Sequence, residues 1–481
     1  MRITYSQKSN LNAFLFFVFS LILILYTYLS NNSNGFLTLS IAITIEIILF
    51  LFFLKKASGH LLSFATIFVI ILAVFHFGQV FICGYWSDLI PELKLRIVLN
   101  YFSNTECISA MRIINMSFVG ICTGLILSAR GNKLSNNLRK NNLLVETNKN
   151  KKRALYLIAF TFPVKIIIDM VFFYFSFTSG FLNAVNWLDK FPDVIRTFGN
   201  LSMLGFGVLI VSLADDKLKQ FKVFAFIMLY LLVQIISGRR SETISYITIL
   251  AFLFFKTRSG KKLKLSSVIL AVISGYILLT LMYTTVRMRD MDNRTIEGFF
   301  QLFWLLFTKQ NIFMEAIREY GNTGYTAVCV LNNWLKHFPP SYGKSYIFGL
   351  SAVLPNIGGI VSKLIVSSTY AIQLQINRMV LDGFRNIGGS VIGELFFNFG
   401  KVGGLIASPI LGILIGKINS KVNSYIESKQ INKLAYYIPA MYAVLYWVRD
   451  CFGDGVREVI WGILIWYLIG VIKTKGEIKS E

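Results

Sequence analysis

Four stretches of this chain hold residues of the types and spacing that do chemistry. The first is Ser237-Gly238-Arg239-Arg240-Ser241-Glu242, and the second runs from Arg287 and Arg289 through Asp290 and Asp292 to Arg294. The third holds Asp382 and Arg385, then Gly388-Gly389-Ser390-Val391-Ile392-Gly393-Glu394 with Asn398 four residues on; the fourth is Arg449-Asp450 through Arg457-Glu458. A guanidinium is planar, permanently charged and donates in a fork that fits phosphate or carboxylate, so grouped arginines point to an anion site. In the first stretch Gly238 lets the backbone turn, and Ser241 is expected to cap the next helix, whose first amides would add to the site. Interfacial snorkelling of two long cations is the plainer reading. Asp290 and Asp292 either neutralise Arg287 and Arg289 or leave them for a ligand. Glu394 lies inside an apolar segment, where a carboxyl group is costly and marks either function or an ion pair closing the bundle; Asn398 shares its helical face. The fourth stretch is a second cationic turn or simply a solvated loop.

The elements that must hold these residues are membrane helices. The 481 residues are 55% hydrophobic with a mean hydropathy of +0.61, more apolar surface than a soluble domain can bury. About twelve apolar spans follow from the pattern. They are Leu11–Leu29, Phe36–Leu54, Leu61–Gly84, Ala110–Ser128, Ala154–Phe177, Phe198–Ala214, Phe221–Ser237, Thr243–Phe255, Leu265–Val286, Ser390–Gly416, Leu434–Val448 and Val459–Ile472. The fold class is thus an all-α polytopic membrane protein with a large extracytoplasmic loop. Residues 1–286 carry nine spans, 287–389 the loop with interfacial helices, and 390–481 three spans and a tail. The loop's semi-apolar stretches Phe299–Phe307 and Tyr346–Val366 are expected along the interface.

Charge orients the bundle. Lys55 and Lys56, Arg130–Arg153, Lys256–Lys264, Lys417–Lys433 and the Lys473–Lys479 tail all fall on one side when the amino terminus is inside, which places both termini in the cytoplasm. In that threading 12 of 18 outer cations are Arg, against 5 of 27 inner ones. The formal charge of +24 then reflects topology and anionic lipid, and nucleic acid is excluded as a partner class. Arg112 joins the outer cations, and within the spans Lys165 and Asp169 neutralise each other at i, i+4. Cys83, Cys107, Cys122, Cys329 and Cys451 show no CxxC or metal spacing, and a Cys107–Cys329 or Cys329–Cys451 bridge stays open. His60, His76 and His337 form no cluster, so neither a metal nor a cofactor is expected; His76 reads as a satisfied core histidine. Leu11–Leu29 lacks a cleavage site and is expected to remain as a span.

The SGRR turn after a span, the long loop in the second half and the run G-G-S-x-I-G-E-x-x-x-N-F-G at Gly388–Gly400 resemble the Wzy-type O-antigen polymerases, or oligosaccharide repeat-unit polymerases. The hydropathy layout is similar over nearly the whole chain. The resemblance implies a GT-C-like glycosyltransferase in the bacterial cytoplasmic (inner) membrane, working on the periplasmic face. Its donor and acceptor would be undecaprenyl-diphosphate-linked glycans, with membrane lipid around it, a chain-length regulator as a further partner and no cofactor. Arg239, Arg240 and Arg287, then Arg289 and Arg385, are expected to hold the diphosphate. Glu394 is the first candidate for the base, with Arg240 and Arg287 beside it in catalysis, and Asp382, Asn398, Arg449 and Asp450 are secondary or sugar-binding candidates. Tyr325, Trp334 and Tyr342 either stack on sugars or pack the loop. An O-antigen ligase and a lipid-linked oligosaccharide flippase are the alternatives; the first shares the donors, the second would show charge through the bundle and two similar halves.

Overall fold

The structure is a computed structural model describing residues 5–30, 34–86, 102–129, 140–190, 193–258, 265–288, 295–309, 312–351, 353–354 and 388–478. Among these residues it is all helix, without strands. Eight described helices are long and apolar enough to cross a membrane. Helices also stand at the other four expected spans, but not always as drawn from sequence. The helix Lys140–Thr178 starts well before its apolar stretch, since nothing between Lys140 and Pro163 stops it. Leu434–Val448 is broken into Ile431–Ala435 and Ile438–Trp447, ahead of Pro439.

The chain forms two compact units that interleave in sequence. One comprises Met1–Leu134, Ile317–Ser424 and Val444–Val456; the other comprises Ser135–Ala316, Tyr425–Ala443 and Arg457–Glu481.

In the first unit, α1 (Tyr5–Leu29), α2 (Gly35–Ser58), α3 (Phe64–Tyr85) and α4 (Asn104–Ser128) pack on one another. Apolar attraction between helices is weak in lipid, so close packing of small residues carries much of the association. Gly120 and Gly124 of α4 meet the backbone of Pro409–Ile413, and Gly412, with Gly416 four residues on, returns the contact: a Cβ on Gly412 would lie 2.1 Å from the Ile121 carbonyl oxygen. The segment 317–329, expected in the outer loop, is equally close to α3. A Cβ on Gly321 would lie 2.4 Å from the Gln79 nitrogen, one on Gly324 2.3 Å from the His76 carbonyl, and Gln79 Nε2 donates to the Arg318 carbonyl at 2.6 Å. Thr323–Cys329 is wholly buried. Tyr325 and Trp334 are therefore packing residues, whereas Tyr342 stays 72% exposed. All five cysteines are free, so neither of the two bridges that the sequence left open is formed.

In the second unit, α5 (Lys140–Thr178) lies along α7 (Asp193–Ser212), with α6 (Phe181–Lys190) between them in sequence. The antiparallel pair α8 (Lys217–Ser237) and α9 (Arg240–Arg258) follows, then α10 (Leu265–Met288) and α11 (Ile296–Lys309). The α11 helix contains the expected interfacial stretch Phe299–Phe307 and leaves Phe300, Trp304 and Leu305 exposed.

Candidate functional site

The Gly388–Gly400 run folds as a short capped helix built to hold two polar side chains. Helix α12 (Val391–Glu427) starts directly after Ser390, whose Oγ accepts from the Gly393 amide at 3.0 Å as an N-cap. The Leu72 carbonyl can only accept, so His76 Nδ1 carries the proton and donates to it at 3.0 Å, which leaves Nε2 of the neutral ring to accept from Ser390 Oγ at 2.8 Å. His76 is thus a satisfied core histidine, and it also ties the start of α12 to α3. A Cβ on Gly389 would fall 2.4 Å from the Asp450 carbonyl carbon, so the motif can pass the Arg449-Asp450 turn only with glycine there. At the other end Gly400 takes φ 70 and ψ −176 and interrupts the helix. The carbonyls released at Phe397 and Asn398 accept from the Ser341 and Tyr342 amides, both at 2.8 Å.

Two consequences are testable on the isolated protein. Gly400→Ala puts an L side chain into left-handed backbone and brings its Cβ to 3.0 Å from Pro340 Cγ, and is expected to cost about 1–2 kcal/mol of stability. Gly389→Ala, which collides with backbone, is expected to cost more. Thermal unfolding of the two detergent-solubilised variants would contradict this ranking if Gly389→Ala melted at or above the temperature of Gly400→Ala.

Between the two caps sits Glu394, 1% exposed. Its Oε1 accepts from Ser345 Oγ at 2.7 Å, and its Oε2 from Trp447 Nε1 at 2.6 Å and the Phe452 amide at 3.0 Å. Asn398 donates from Nδ2 to Ser345 Oγ at 2.7 Å and to the Glu394 carbonyl at 2.9 Å. Among the described residues Glu394 is held by neutral donors, and none of its recorded partners there is an arginine. Tyr346 packs edge-on against Trp447 and Phe452; burial, and then the Glu394 charge, push its hydroxyl pKa up, so it stays neutral. Arg449, half-buried beside the Gly388 backbone, carries its charge without an ion pair among the described residues. Its neighbour Asp450 lies against Gly389.

The arginine turn belongs to the second unit. Gly238, at φ 110, closes α8, donating its amide to Ile235 and Gln234 carbonyls, and α9 begins two residues later at Arg240. Ser241 is therefore inside the first turn of α9 and is not its cap. The short connection delivers Arg239 to the chain's own carboxylates: Nη1 donates to Asp169 Oδ1 and Nη2 to Glu242 Oε2 at 2.5 Å. The Lys165–Asp169 pair, at 3.6 Å, is one edge of this larger network. Lys165 Nζ donates to Asn200 Oδ1 at 2.8 Å, and Asn200 Nδ2 donates to both Glu242 and Glu458 at 2.6 Å. Tyr246, Tyr230 and Gln234 donate into the same carboxylates. Arg196 also acts on Glu242, so Lys165, Arg196 and Arg239 balance Asp169, Glu242 and Glu458. An internally neutral network is a scaffold first.

Arg240 is buried, 4% exposed. Arg287 is exposed at the end of α10; its Nε donates to the Tyr283 hydroxyl at 2.9 Å, which donates on to Glu315 at 2.7 Å. The guanidinium lies over the Tyr283 ring at 5.2 Å, a fixed pose that leaves its outer nitrogens toward the surroundings. Arg289, Asp382 and Arg385 lie outside the described residues. Of the candidates, Glu394, Asn398, Arg449 and Asp450 share the first unit, and Arg239, Arg240 and Arg287 the second. Ser345, Trp447, Asn200 and Tyr246 were not singled out from sequence, and Glu458 was named only as the end of the fourth stretch. Only Glu458 carried a signal, an acid at the edge of an apolar span.

Apolar helices of spanning length and polar clusters buried among them define a multi-pass membrane protein. The sequence profile of the O-antigen polysaccharide polymerase Wzy family matches residues 11–477, and the chain belongs to that family. Members of the family act on lipid-linked oligosaccharide repeat units. Neither a search of curated proteins nor one of solved structures returned a match.

Proposed function

We propose that the protein is a GT-C-type glycosyltransferase that polymerises undecaprenyl-diphosphate-linked repeat units on the outer face of the cytoplasmic membrane. It crosses that membrane about twelve times, with both termini inside. A growing glycan passes from its diphosphate carrier to the non-reducing end of a single lipid-linked unit. Family membership over nearly the whole chain carries the reading. It is supported by two cations without an ion pair among the described residues, the exposed Arg287 and the half-buried Arg449.

In this reaction the acceptor hydroxyl attacks the anomeric carbon from the side opposite the diphosphate, which inverts the centre. The bond from that carbon to the phosphate oxygen breaks, and its electron pair stays on the departing diphosphate. Arg449, in the unit that holds Glu394, stabilises that charge in the role a metal plays elsewhere; Arg287, Arg289 and Arg385 stay candidates for the diphosphate on their sequence pattern. The hydroxyl proton passes to Glu394 Oε1, the oxygen with a single donor. Tyr342, exposed on its loop, is the aromatic surface for a sugar ring. A chain-length regulator is the expected protein partner.

The test is the glycan ladder of a deletion strain complemented with the wild type or with variants at equal membrane level. Deletion is expected to leave core plus one repeat unit, and the wild type to restore the ladder. Loss of the single capped unit with lipid-linked repeats accumulating outside would show a ligase, and repeats retained inside a flippase. Arg287→Ala and Arg449→Ala are expected to slow turnover about 10²–10³-fold without lowering the amount of protein. Near-normal ladders from both would take these arginines out of the site.

A further inference from the structure

Arg112 is the buried cation of the first unit that the proposed chemistry does not use. It lies on α4, 8% exposed. Its Nε and Nη2 are buried and donate to no acceptor among the described residues. These two nitrogens form one edge of the guanidinium, the edge that takes both oxygens of a phosphate or carboxylate side-on. Unlike lysine, arginine cannot escape burial by shedding its proton. The other buried arginines with recorded contacts are treated differently. Arg239 has Asp169 and Glu242, and Arg153 has the Asn432 side chain and the Gly470 carbonyl. The buried acid of α2, Glu46, accepts at Oε1 from Asn115, one turn further along α4, at 3.2 Å.

The surroundings say what kind of anion reaches Arg112. Its guanidinium stacks on the Tyr28 ring at 4.9 Å. Tyr28, at the end of α1, is 43% exposed, and its neighbours Ile22, Leu25, Tyr26 and Leu29 are all more than half exposed. Such a face is covered by lipid, and the anions carried at the margin of a lipid layer are lipid phosphates. We infer that Arg112 and Tyr28 form a binding site for a lipid-borne phosphate, with the Nε–Nη2 edge holding two phosphate oxygens and the Tyr28 ring backing the guanidinium. The inference stands apart from the polymerase reading, since it concerns binding alone. The phosphate has two sources, the diphosphate of a polyprenyl carrier and the headgroup of a bulk anionic phospholipid.

The experiment is thermal unfolding of the delipidated full-length protein, titrated with undecaprenyl diphosphate, with phosphatidylglycerol, and with undecaprenol as a tail lacking phosphate. For the wild type at least one phosphate lipid is expected to raise the melting temperature and undecaprenol to do less. In Arg112→Gln the apparent affinity for that lipid should fall by about tenfold or more, the worth of a charge-assisted contact, with Arg112→Lys between the two. Stabilisation by undecaprenyl diphosphate alone assigns the carrier as source; an equal effect of phosphatidylglycerol assigns the headgroup. Without lipid, Arg112→Gln should melt no lower than the wild type, because it removes a buried charge without an ion pair among the described residues. A lower melting point there would mark Arg112 as structural and overturn the inference. So would unchanged titrations in Arg112→Gln, or undecaprenol acting as well as the phosphate lipids.

Discussion

Glu394→Ala is expected to remove the protein from the membrane, and Glu394→Gln to leave it there without polymerase activity. Alanine strips the acceptor from the Trp447 indole, the Phe452 amide and the Ser345 hydroxyl, all of which end on this one carboxylate. Each buried donor left unmet costs about 1–3 kcal/mol, and the sum rivals the net stability of a folded domain. Glutamine avoids that loss. Its amide oxygen can take the place of Oε2 and keep the two N–H donors. Its nitrogen then faces Ser345 Oγ, which accepts as readily as it donates. What glutamine cannot do is take a proton, and removal of a general base costs about 10²–10⁴-fold in rate. Membrane levels, melting temperature and the glycan ladder of both variants separate these roles. A normal ladder from Glu394→Gln would make the residue an anchor for the segments around residues 345, 394 and 447–452, and the search for the base would move to Asp382 and Asp450.

Arg239→Met is expected to unfold the second unit, whereas Arg287→Met leaves the fold intact. Both residues are arginines near span ends, but Arg239 stands between Asp169 and Glu242 in a buried network. Removing one member of such a pair strands the other's charge at about 3–5 kcal/mol. Arg287 is exposed and contacts Tyr283 alone among the bonds recorded for it. The loss in Arg239→Met should be partly regained when Asp169→Asn and Glu242→Gln are added, because the stranded charges go with them. Thermal unfolding of the single and triple variants measures this directly. Should Arg239→Met reach wild-type level and melting temperature while losing the ladder, Arg239 would be a ligand-binding residue after all.

These contrasts show how far the sequence reaches. Hydropathy over long windows located helices at every expected span, because a membrane helix must satisfy its backbone internally and its apolar length is set by the bilayer. The Gly388–Gly400 run was legible as a special stretch, since Gly389 and Gly400 have no alternative residue at a backbone contact and a left-handed turn. The spacing of Glu394 and Asn398 likewise put them on one helical face before any coordinates.

The sequence could not say which charges the chain neutralises by itself. Arg239 and Arg287 look alike in a one-dimensional reading, yet one meets a carboxylate 70 residues away in sequence and the other meets a tyrosine one turn back. Likewise the sequence left Tyr325 and Trp334 either to stack on sugars or to pack their loop, and the close approach of Gly321 and Gly324 to α3 buries the segment that carries them. Pairing and burial depend on contacts between residues far apart in the chain, and no local pattern encodes them. By itself the sequence therefore determined the class of protein, the helices and the special glycine–glutamate motif. Only the tertiary structure decided that Glu394 rests on neutral donors, that Arg239 is engaged by the chain's own carboxylates, and that Arg112 is buried with Nε and Nη2 bonded to no acceptor among the described residues.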